Sequence, residues 1–97
     1  MTKVYIATNG EELVLAAQGH ATGSVEACAG VSAILYALAG FVINEMPGAA
    51  TALKLEPGKA EICCPDTEKL RTAFEMAAIG LAQIAAGTET VEIYENL

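Results

Sequence analysis

Basic residues are scarce in this chain: five Lys and Arg stand against twelve Asp and Glu, for a net charge of −7 over 97 residues. No cluster of Lys or Arg occurs, which removes the electrostatic footprint that direct nucleic-acid binding requires. Tryptophan is absent and aromatic residues make up only 5%, so any core must be built from aliphatic and small side chains. Cysteines number three, two of them adjacent at Cys63-Cys64. Adjacent residues rarely bridge and an odd count leaves one over, so no disulfide framework is expected, and a reducing cytoplasm is the natural compartment. A single histidine, His20, and the lack of any CxxC pair leave too few ligands for a metal centre. The glycines follow no phosphate-loop pattern, so no nucleotide cofactor is expected. Residues 1–12 hold two Glu and one Lys around no apolar core, unlike a secretory signal.

What the chain does have is apolar surface, 54% of its residues, much of it alanine. Residues 27–43 carry no charged side chain at all. Seventeen residues is short for a membrane span. The flanks are Glu26 and Glu45 rather than Lys or Arg anchors. A helix buried on several sides fits this stretch better than a span, and its small residues make a homodimer a reasonable expectation.

The length suits one domain over residues 1–97. Residues 3–8 read as a strand, Asn9-Gly10 as a tight turn and residues 12–18 as the returning strand of a hairpin. Residues 19–24 form a loop of small residues that carries His20. A helix follows over 25–44, with Ser24 as N-cap and Glu26 complementing the dipole in its first turn. Residues 50–55 and 59–64 make two further strands around the turn Glu56-Pro57-Gly58-Lys59. Asp66 is the expected N-cap of a second helix, in which Leu70, Phe74, Ala77, Leu81 and Ile84 recur at helical spacing until Gly87 stops it. Residues 90–95 alternate as a final strand. The expected fold is α+β in the order β-β-α-β-β-α-β, with one antiparallel or mixed sheet packed against two helices.

Three residues point to chemistry. His20 is the only side chain whose ordinary pKa suits proton transfer near neutrality. Cys28 falls in the first turn of the long apolar helix, and Ser32 lies one turn above it on the same face. A helix N-terminus offers unpaired N–H groups and a partial positive charge, which favours thiolate over thiol and can stabilise an oxyanion beside the sulfur. In this reading His20 takes the thiol proton and later protonates the leaving group. The N–H groups around Ala29 and Gly30 are expected to meet the oxyanion, Gly30 leaves space for substrate backbone, and Glu26 is a candidate orienter of His20. Cys63 and Cys64 read as strand residues pointing to opposite faces. By position alone Cys28 reads equally as a buried core residue of an Ala-rich helix; with His20 beside it the expectation is a small cysteine hydrolase, most simply a peptidase.

The run GHATGSVEACAGVS resembles the signature of the ribosomal-processing cysteine protease family, in which a Gly-His-Ala loop precedes a Cys at a helix start and a Val-Ser step. Gly19, His20, Ala21, Gly23, Cys28, Ala29, Val31 and Ser32 match in type and order. The resemblance implies a His20–Cys28 dyad, with Gly19, Ala21 and Gly23 supporting it. It also implies removal of an N-terminal extension from a ribosomal protein or a similar substrate, with apolar and aromatic residues before the scissile bond. The 19–24 loop would then act as a lid ordered by substrate. The chain departs from the family in a shorter His20–Cys28 spacer and in Val25, which stands where the family carries an aspartate. Those departures favour a second reading, a non-catalytic interaction module of the same fold. A third reading is a cysteine-dependent acyl or thiol transferase.

Overall fold

The computed structural model describes residues 1–19 and 25–97. Its elements are β1 (Thr2–Thr8), β2 (Glu12–Gln18), α1 (Val25–Glu45), β3 (Ala52–Glu56), β4 (Lys59–Pro65), α2 (Glu68–Ala86) and β5 (Val91–Asn96). This is the expected α+β order, with one five-stranded sheet in the order β3-β4-β2-β1-β5. β1, β2, β4 and β3 pair antiparallel, while β1 and β5 run parallel, so the sheet is mixed.

Strand alternation sorts the sheet into two faces. Val4 and Ile6, Leu13 and Leu15, and Ile62 and Cys64 turn inward beneath the helices, each fully buried. They pack with Leu35, Leu38 and Val42 of α1 and with Leu70, Phe74 and Leu81 of α2. Tyr5 and Tyr94 turn to the opposite face as register partners, their rings stacked at 4.9 Å and 13°. Cys63 also faces away from the core cluster that holds Cys64, as alternation requires.

Two glycines set how closely the helices approach. A Cβ on Gly30 would lie 2.9 Å from Ile84 Cδ1, and one on Gly80 would lie 3.0 Å from Ile34 Cδ1. Each helix therefore offers a notch that an isoleucine of the other fills. α1 is buried along one stripe only, through Ala27, Val31, Leu35, Leu38, Ala39 and Val42. Its length and composition are enough to cross a membrane, and 33% of its apolar stretch is buried in the fold. The expectation of burial on several sides is corrected here, because the sheet and α2 cover one face while Tyr36 and Ile43 stay exposed.

The start of α2 also differs from expectation. Thr67, not Asp66, is the N-cap: its hydroxyl accepts from the Leu70 N–H at 3.2 Å. Asp66 is engaged elsewhere. Its carboxylate accepts from Thr8 Oγ1 at 2.6 Å and from Arg71 Nε at 3.1 Å. Arg71 supplies a second, parallel bond to the same carboxylate, making a bidentate pair, while the Thr8 bond ties the start of α2 to the β1–β2 hairpin. In that hairpin Asn9 Oδ1 accepts from the N–H groups of Glu11 and Glu12, both at 2.9 Å, and Gly10 takes φ +91°. The turn residues thus fulfil their expected role.

Candidate active site

The site begins with missing bulk. Along the paired strands β2 and β4, the inward rows are Leu13 with Cys64, Leu15 with Ile62, and finally Ala17 with Ala60. Two methyl groups in the last row leave room under the first turns of α1. Cys28, Ser32 and Leu35 face that room from above, at helical spacings of four and three. The walls are Thr2, Gly19 and the β3–β4 turn at Glu56, Gly58 and Lys59. The recess, including its open mouth, measures about 390 Å³.

The wall opposite Cys28 is braced through the main chain. Gly19 leaves β2 at φ +89°, and its N–H donates to the Gly58 carbonyl at 2.8 Å. A side chain at Gly19 would place its Cβ 2.1 Å from the Met1 carbonyl oxygen, so both the dihedral and the space demand glycine. Gly58 has φ +75° behind Pro57. That is the third-position geometry of a type II turn, which keeps the wall compact. Thr2, a buried polar residue, donates its N–H to the Thr90 carbonyl at 2.7 Å.

Cys28 is half-buried and occupies the first turn of α1. The other two thiols are unsuited to nucleophilic work. Burial raises the pKa of Cys64 to about 11, helped by Cys63, Glu12 and Asp66. Cys63 is raised by burial first and then by Glu61 and Glu12. Of the three cysteines, Cys28 alone opens into the recess.

Of the residues singled out in the sequence, the structure brings Gly19, Cys28 and Ser32 to one recess. His20, Ala21 and Gly23 lie outside the described residues, as does the rest of the loop expected to act as a lid beyond Gly19. Glu26 is exposed, and two helical steps carry it about 200° around α1 from Cys28. Ala29 lies away from the recess and does not line it. Gly30 is corrected: its open side faces Ile84 of α2 rather than a substrate, so its role is helix packing. α1 starts at Val25, so in the i→i−4 pattern the N–H groups of Ala29 and Gly30 fall inside its ladder. Outward-pointing donors at this helix end therefore belong to the first turn.

Residues not singled out for the site complete it: Thr2, Ala17, Glu56, Gly58, Lys59 and Ala60. The Pro57-Gly58 turn is legible in the sequence as a turn. Its position against residue 28 follows from the β2–β4 register, which no local pattern encodes.

The fold and recess together define a two-layer α+β domain with a free cysteine in a cleft at a helix start. No family profile and no curated protein matches the sequence. Among solved structures, the chain has the fold of the essential ribosomal processing protease Prp from Staphylococcus aureus. With that protease bound to a covalently linked product peptide, the TM-score is 0.79 at 17% identity, covering 98% of this chain and 99% of that one. With the same protease bound to a substrate peptide, the TM-score is again 0.79, at 18% identity over 98% and 99%. A protein from Streptococcus mutans matches with a TM-score of 0.74 at 21% identity, covering 100% of this chain and 96% of that one. The likeness extends over the whole length of these chains, and the family resemblance of residues 19–32 falls on the same fold.

Proposed function

We propose that this chain is a cysteine endopeptidase of the ribosomal-processing type, with Cys28 as nucleophile and His20 as general base and acid. The observation that carries the reading is the placement of Cys28. It sits half-buried in the first turn of α1 and opens into a cleft, in a fold shared with a protease captured with a covalently linked product peptide. His20 follows Gly19, a lining residue, in the chain.

The chemistry runs in two halves. His20 accepts the thiol proton, and the sulfur attacks the scissile carbonyl carbon. The C–N bond then breaks as the imidazolium returns the proton to the leaving amine. Water, deprotonated by the same imidazole, attacks the thioester; the C–S bond breaks and the thiol is restored. The positive end of the α1 dipole and the backbone N–H groups at the helix start stabilise the oxyanion in both halves. Ser32, exposed at the mouth one turn above Cys28, orients water or substrate.

The substrate class implied by the resemblance is an N-terminally extended ribosomal or related protein in a reducing cytoplasm. The exposed Ile43 of α1, with Met76 and Ile79 of α2, supplies apolar surface for a homodimer. A second reading, a peptide-binding module without catalysis, draws on Val25, which is 82% exposed where the family carries an aspartate.

The test is incubation with an N-terminally extended ribosomal-protein segment bearing aromatic residues before the cut, read by mass spectrometry. Cys28→Ala, His20→Ala and the double variant should be equally inactive, because residues acting as one unit are not additive. Cleavage by Cys28→Ala at the parent rate would falsify the mechanism. No cleavage by the parent, with Cys28 still reactive toward small electrophiles, favours transfer chemistry. Peptide binding without cleavage favours the module.

A further inference from the structure

The recess continues past Cys28. Cys28, Ser32, Leu35 and Tyr36 face one side of a trough whose other side is Leu55 and Pro57 of the β3–β4 hairpin. The trough exists because β3 is the edge strand and α1 does not roof it. Leu53 and Leu55 turn toward the helix layer, yet Leu53 is 38% exposed and Leu55 only half-buried. Above them Tyr36 is 64% exposed.

The backbone of β3 is also open here. Glu56 and Lys59 close a two-residue turn, so the hydrogen-bonded pairs of this hairpin fall at Glu56–Lys59 and Lys54–Glu61. Leu53 and Leu55 therefore direct their N–H and C=O groups to the free edge of the sheet. Leu55, whose side chain borders the trough, and Leu53 two residues before it thus offer main-chain groups for an added strand.

We infer that this trough seats an extended peptide, and that Tyr36 with Leu55 receives an apolar side chain three or four residues from the one whose carbonyl meets Cys28. The inference rests on the reading of Cys28 as a nucleophile and adds a specificity-determining residue to it. The spacing is geometric. Eight helical residues separate Cys28 from Tyr36, about 12 Å at 1.5 Å per residue. An extended chain rises about 3.3 Å per residue, so that span holds three to four residues. A polypeptide is the occupant that fits, because the trough is continuous with the thiol and bordered by unpaired strand backbone.

Two peptide series test this. One ends in a vinyl sulfone, which adds the Cys28 thiol across its double bond; the other begins with a chloroacetyl cap, which loses chloride as the thiol loses its proton. In each, Leu, Phe, Gly or Asp is placed at the third and fourth positions from the electrophile, and adduct formation at Cys28 is timed by mass spectrometry. In at least one series Leu or Phe should accelerate adduct formation roughly tenfold over Asp. Tyr36→Ala, checked for folding by circular dichroism, should lose that preference, and Tyr36→Phe should restore it. Equal rates across both series, or the same preference in Tyr36→Ala, overturns the inference. A preference without cleavage of any peptide leaves the trough standing and removes the endopeptidase reading; cleavage without a preference removes the trough alone. Failure to form any adduct overturns both.

Discussion

The N–H of Gly19 donates to the carbonyl of Gly58 at 2.8 Å, joining the end of β2 to the β3–β4 turn. This bond holds the wall that faces Cys28, and it exists because neither residue carries a side chain. Gly19→Ala forces a Cβ into the Met1 carbonyl at a positive φ. The variant should lose about 1–3 kcal/mol of stability, read as a lower midpoint in urea. It should also alkylate Cys28 at an altered rate as the wall shifts. An unchanged midpoint would show that the Gly19 backbone relaxes freely.

The three thiols should separate cleanly by reactivity. Cys28 is half-buried at the recess, whereas Cys63 and Cys64 are buried with raised pKa values, Cys64 to about 11. Brief iodoacetamide treatment at neutral pH should label Cys28 alone, with Cys64 labelled only on unfolding or at strongly alkaline pH. Earlier labelling of Cys63 or Cys64 in the folded protein contradicts the nucleophile assignment.

Asp66 gives the protein an acid-sensitive joint. The paired Arg71 guanidinium, and then the Thr8 hydroxyl, hold its carboxyl below the ordinary carboxylate range. A carboxyl depressed on folding stabilises the fold above its unfolded pKa, about 4. That contribution disappears as pH falls through the lower, folded value. Asp66→Asn should therefore lower the melting temperature at pH 7 and flatten its decline as pH falls below about 4. Parallel melting curves for parent and variant across that window would rule out the linkage.

The helical glycines should behave differently from one another. A methyl group added at Gly40 would meet nothing within 4 Å, so Gly40→Ala should stabilise by about 0.5–1 kcal/mol. Gly30→Ala gains the same helix propensity but displaces Ile84 Cδ1, so it should change stability little. In an Ile84→Val background, which removes that atom, Gly30→Ala should recover most of the gain. Calorimetric melting of these variants beside the parent checks this, and a stabilised Gly30→Ala in the parent background would mean that the notch is not filled.

Local chemistry makes most of the fold legible. Asn9-Gly10, Pro57-Gly58 and Gly87 punctuate the chain where elements turn or stop, and β2 runs over the expected residues 12–18. The N-cap of α2 falls one residue later than expected, because Asp66 and Thr67 are both good caps. The choice between them is made by Arg71 and by Thr8, the latter far away in the sequence. Cys28 and Ser32 are legible as neighbours because one helix turn joins them. Ala17, Ala60 and Gly58 are not, since small residues announce a cavity only once register sets them side by side. Gly30 misleads for a related reason: a glycine near a nucleophile looks like space for substrate until the second helix is in place.

Tyr5 and Tyr94 give the protein an internal optical gauge. With no tryptophan to dominate the near-ultraviolet signal, the stacked pair is the chief coupled chromophore, and it spans the one parallel strand pairing among the described residues. The circular dichroism of that pair reports whether β5 is docked on β1, separately from the antiparallel strands that carry the recess. Loss of the tyrosine signal before loss of the far-ultraviolet signal would mark β5 as the element that lets go first, with the cleft still standing.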